Sequence, residues 1–135
     1  MGTFFSETAW APTQSEKNSD VSYLTNSKEN FKNYQDLLRN HYPKHLSTGV
    51  TASWLKKSIE SVELLDKAGT KNITTPILMF TAGDDSVVNS NQARKFCKNN
   101  LATCKNIHYK KGKHQLLIEV DEIRLDLYKK IRQFL

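Results

Sequence analysis

The chain is poor in several things, and each shortage narrows what it can be. It has two cysteines, Cys97 and Cys104, too few for a disulfide framework, and their spacing matches no metal or redox motif. A reduced, buried thiol is the expected role for Cys97, which sits in a helical pattern beside Phe96, and this points to a reducing compartment; a bridge between the two cysteines is the alternative. No apolar run approaches the roughly 20 residues needed to span a bilayer. The amino-terminal residues show neither the basic region nor the apolar core of a secretory signal. There is no internal repeat, no low-complexity tract and no run of basic residues, although Lys and Arg number 20 against 14 Asp and Glu. A net charge of +6 scattered in this way reads first as solubility and only weakly as attraction to anionic lipid. Without a clustered basic stripe or a recognised motif, nucleic-acid binding is not expected.

What is present is concentrated in the second half. Residues 1 to about 26 are polar and irregular, with isolated aromatics at Phe4, Phe5, Trp10 and Tyr23. Ser27 reads as a helix cap, followed by an apolar stripe of Phe31, Tyr34, Leu37 and Leu38, and Pro43 ends that segment. Thr51 caps a second predicted helix. Its stripe of Trp54, Leu55, Ile59, Val62 and Leu65 is expected to pack on neighbouring elements, with a stop at Gly69. The continuous apolar run from Pro76 to Ala82 predicts a strand covered on both faces, as in parallel sheets. A helix capped by Asn89 or Ser90, a short strand over 106–109, and a final helix from Asp121 or Glu122 follow. Strand, helix, strand, helix is a piece of an α/β sheet, and two strands alone are too few to stand in water.

Two residues in this frame carry chemistry. Asp85 lies in the turn Gly83-Asp84-Asp85-Ser86-Val87-Val88 after the first strand. His114 lies in Gly112-Lys113-His114-Gln115-Leu116-Leu117-Ile118-Glu119 after the second. The separation suits a strand–helix–strand unit, which brings both to the carboxyl edge of the sheet, where function collects. An acid that orients a histidine is the second half of a Ser…Asp…His triad. Asp84 and Asp85 compete for the acid role, while the Val87-Val88 pair is expected to turn inward and Glu119 to cap or orient the last helix. His41 and His45 are four apart, but Pro43 between them breaks the helix a metal pair would need, and His108 has no partner pattern. The 135 residues contain no Gly-x-Ser-x-Gly frame, and Ser53 falls inside a helical pattern.

These stretches resemble the α/β-hydrolase superfamily, and within it the lysophospholipases and monoacylglycerol lipases with a helical lid. The run Pro76-Ile77-Leu78-Met79-Phe80-Thr81-Ala82-Gly83-Asp84-Asp85 is similar to the strand and acid turn of that group, and Gly112-Lys113-His114-Gln115 to its histidine motif. The family pattern favours Asp85 as the acid and leaves Asp84 facing solvent. Less specifically, Tyr23-Leu24-Thr25-Asn26-Ser27, Phe31, Tyr34, Pro43, Gly49, Trp54 and Ile59 follow the lid region in order and spacing. The resemblance implies the carboxy-terminal portion of an α/β-hydrolase fold, with a lid over residues 1–72 and core over 73–135. It implies serine acyl transfer on a lipid-like carboxylic ester, with Asp85 and His114 as acid and base and no metal or organic cofactor. The serine and the oxyanion donors must come from a missing amino-terminal half or a second chain, so this chain alone is expected to be inactive. A cytoplasmic location is expected, with peripheral contact at the inner, anionic face of a membrane as a further expectation. The competing expectation is a non-catalytic truncated module that oligomerises to complete its sheet.

Overall fold

A computed structural model describes residues 21–45, 51–68 and 73–135. Helix α1 spans Lys28–His41 and α2 Ala52–Ala68; β1 covers Ile77–Ala82, α3 Ser90–Asn100, β2 Cys104–Tyr109 and α4 Asp121–Phe134. Short 3₁₀ turns lie at Pro43–His45 and Leu116–Ile118. The stop at Gly69 lies outside the described residues.

The helices begin where local chemistry starts them. The Ser27 hydroxyl accepts the Asn30 N–H at 3.1 Å, the Thr51 hydroxyl the Trp54 N–H at 3.1 Å, and the Asn89 side-chain Oδ1 the Gln92 N–H at 3.3 Å. Each satisfies an amide that a helix start leaves unpaired. Pro43 closes α1, since it cannot continue an intrahelical bond.

β1 and β2 pair in parallel, Ile77 opposite Cys104 through Ala82 opposite Tyr109. β2 therefore starts two residues earlier than the sequence pattern suggests. One sheet face meets α4: Phe80, Ala82 and Tyr109 pack with Leu116, Ile123, Leu127 and Ile131 as the core. On the other face Thr81 and His108 are register partners, and the Thr81 hydroxyl lies 3.1 Å from His108 Nδ1. Asn106 joins them, donating to the Met79 carbonyl at 3.2 Å. A polar cluster thus occupies a strand pair whose sequence looks apolar from β1 alone. Tyr109 donates its hydroxyl to Asp126 at 2.9 Å, and desolvation, reinforced by that carboxylate, pushes the phenol above its ordinary range.

Two expectations are overturned. Cys97 and Cys104 form a disulfide, with Cα atoms 5.5 Å apart. Leu101 ends α3 and the chain reverses within three residues to open β2 at Cys104, which brings both side chains into bridging range. The bond removes the argument for a reducing compartment. The apolar stripe of α2 is also not packed: Trp54 is 58% exposed, and Leu55, Ile59, Val62 and Leu65 are exposed with it. Periodicity shows which face is apolar but not whether anything covers it.

Candidate active site

The sheet delivers both candidate residues to one edge. Ala82 and Tyr109 end their strands as register partners, and strand-like pairing continues beyond them. Gly83 N–H donates to the Tyr109 carbonyl at 2.8 Å and Asp84 N–H to the Gly112 carbonyl at 3.0 Å. The approach is close enough that a Cβ on Gly83 would lie 2.4 Å from the Lys110 carbonyl oxygen, so only glycine fits. Lys113 adds an ion pair to Asp84 at 3.1 Å, and Asp84 is 66% exposed, as a solvent-facing turn residue should be. Two turns from different strands are thereby held against each other.

Within this frame Asp85 and His114 meet, Nδ1 to Oδ2 at 3.1 Å. The Asp85 side chain is only 5% exposed and that of His114 31%. The other carboxylate oxygen, Oδ1, accepts the N–H groups of Val87 at 2.9 Å and Val88 at 3.0 Å. Those amides, not the side chains, anchor the turn: the valine side chains are exposed, contrary to the inward packing their sequence suggests. Burial works against the charge on Asp85, but the Val88 and Val87 amides and then His114 outweigh it, holding the carboxyl below its usual range.

An ionised carboxylate can only accept. Nδ1 of His114 must therefore carry the proton in this contact, which leaves the lone pair of the neutral ring on Nε2. Among the described residues, no hydrogen-bonding partner meets Nε2. A histidine fixed in this tautomer, with its basic nitrogen open, can take a proton from an incoming hydroxyl, and Asp85 can stabilise the imidazolium that results.

His41 and His108 do not join the pair. His41 is exposed, and His108 belongs to the Thr81 cluster. No group of His, Cys, Asp or Glu among the described residues could hold a metal ion.

Glu119 meets the start of α4 as expected in one respect, its carboxylate accepting the N–H of Val120 at 2.9 Å. It is not itself the N-cap of α4, which is Val120. Its carboxylate is also fully buried, at 0% exposure, and ties Asn26 to the histidine loop. Nothing local in the sequence announces a contact across 93 positions.

A family model described as serine aminopeptidase, S33, matches residues 4–121. The chain belongs to this family of the α/β-hydrolase superfamily, and its helices and small parallel sheet are a partial α/β fold. It is a hydrolase of the α/β-hydrolase type by that membership. No curated protein matches the chain. No helix among the described residues is long and apolar enough to cross a membrane.

Proposed function

We propose that this chain carries the acid and the base of a serine hydrolase acting on a lipid-like carboxylic ester, of the lysophospholipase or monoacylglycerol lipase type. Asp85 orients His114, and His114 Nε2 removes the proton from a serine hydroxyl as it attacks the ester carbonyl, then returns it to the leaving alcohol. The hydrogen bond between Asp85 and His114 at the carboxyl ends of two paired parallel strands carries this reading. The serine and the oxyanion donors come from residues outside these 135, either a preceding segment or a second chain, and this chain alone is inactive.

Residues 1–72 act as the lid and 73–135 as part of the catalytic core. The exposed apolar face of α2 supports a lid role, because Trp54, Leu55, Ile59 and Val62 offer the kind of surface an acyl chain or lipid layer covers. The same face, with weaker support from the net charge of +6, favours peripheral contact with an anionic membrane.

A sheet of two strands among the described residues also supports a second reading, a non-catalytic module that pairs with copies of itself. One experiment separates the two. The chain is assayed alone and together with the coding region upstream of it, against lysophospholipid, monoacylglycerol and an aminoacyl amide, the last because the family is described as aminopeptidases. Ester hydrolysis that appears only with the upstream region, and drops by about 10⁶ in His114→Ala, fits the proposal. Amide cleavage alone rejects the lipid substrate. Upstream sequence with no Gly-x-Ser-x-Gly, together with self-association and no hydrolysis, rejects the enzyme.

A further inference from the structure

We infer that Glu119 is a positioning residue for His114, and that through Asn26 it joins the start of α1 to the catalytic loop. The inference rests on the acid–base reading of Asp85 and His114.

The carboxylate of Glu119 receives four hydrogen bonds, two on each oxygen. Oε1 accepts Lys113 N–H at 2.8 Å and the Asn26 side-chain amide at 3.0 Å. Oε2 accepts Val120 N–H at 2.9 Å and Asn26 N–H at 3.2 Å. All four donors are neutral amides, three from the backbone and one from a side chain. A carboxylate fits this place because it accepts on both oxygens and donates on neither. An amide side chain of the same size would set its NH₂ against two N–H donors. Burying such a group is costly unless every acceptor site is satisfied, so its place in the fold depends on these partners.

The donors come from three separate stretches, and one of them adjoins His114. Lys113, just before it, is fixed by Glu119. Gln115, just after it, donates its N–H to the Leu24 carbonyl at 2.8 Å. Both neighbours of the histidine are therefore held by bonds that run to the 24–30 segment directly or through Glu119. That segment is tied further: the Thr25 hydroxyl donates to the Ile118 carbonyl at 3.0 Å, and the Asn26 amide to the Lys111 carbonyl at 2.9 Å. The Asn30 amide donates to the Glu119 carbonyl at 2.7 Å. Asn30 also lies in the first turn of α1, so displacement of that helix loads the same bonds that set the backbone on either side of His114.

The test reads the proton on His114 Nδ1 in the full chain by NMR, as a low-field resonance assigned by its loss in Asp85→Asn. Glu119→Gln and Asn26→Ala are expected to speed its exchange with water by about tenfold, the factor that one net hydrogen bond carries, while the amides of β1 and β2 keep their shifts. A purely structural role, confined to the start of α4, leaves that proton unmoved. Unchanged exchange in two folded variants overturns the inference and leaves the acid–base pair standing. If Glu119→Gln does not fold, Asn26→Ala, which keeps three of the four donors, decides alone. A wild-type chain with no Asp85-dependent resonance overturns the acid–base reading and this inference with it.

Discussion

At the scale of single residues, the turn after β1 shows how few side chains a site edge needs. Asp85 spends one oxygen on two backbone amides and the other on an imidazole, so its ionised form is held on both sides. Its carboxyl titrates below the ordinary value of about 3.9, so the stabilisation it contributes is fully present above that pH. It is lost as the pH falls through the lowered value. Following the Asp85 carboxyl carbon by NMR from neutral to acid pH is expected to give a midpoint below that of free aspartate, and Val87→Pro, which removes one amide donor, to raise it. Gly83 is the second sensitive position. Gly83→Ala sets a methyl against Lys110 backbone atoms at 2.4–2.8 Å, which only separation of the two turns relieves. A cost of about 1–3 kcal/mol in denaturant unfolding is expected, with the Asp85–His114 contact weakened in the same variant.

At the scale of elements, what the sequence discloses is what local chemistry decides. Ser27, Thr51 and Asn89 cap the helices they seem to cap, and the run from Pro76 to Ala82 contains β1, because capping and strand patterning act over a few residues. The placement of Asp85 and His114 at one edge is legible for the same reason: each follows its strand by a short turn. Long-range choices are not legible. The tie between Asn26 and Glu119 crosses 93 positions, and the exposure of the α2 stripe depends on a neighbour that periodicity cannot name. The Cys97–Cys104 bridge turns on how tightly the chain reverses between α3 and β2, which a count of two cysteines does not reveal. Because the bridge closes a short loop, reducing it is expected to lower stability by only about 2–3 kcal/mol on the chain-entropy view. Thermal unfolding with and without reductant checks this. A larger loss would mean that the bridge also holds α3 on the sheet.

At the scale of the whole molecule, the described residues make an edge of an α/β sheet, not a closed one. Two parallel strands, α4 on one face and a compact core around Leu127 support the acid turn and the histidine loop. The 24–30 segment braces that loop from outside the sheet. Among the described residues the sheet has two strands and the α2 stripe is an exposed apolar face, the kind of surface that marks a contact with lipid or protein. The proposed chemistry requires Asp85 and His114 to work as an acid–base pair. The most direct measurement is the ¹⁵N shifts of His114 in the full chain, at a pH where the ring is neutral, for wild type and Asp85→Asn. A proton on Nδ1 and a bare Nε2 are expected in the wild type, with that preference lost in Asp85→Asn. A wild-type ring that carries its proton on Nε2, or a preference that survives the Asp85 substitution, would contradict it.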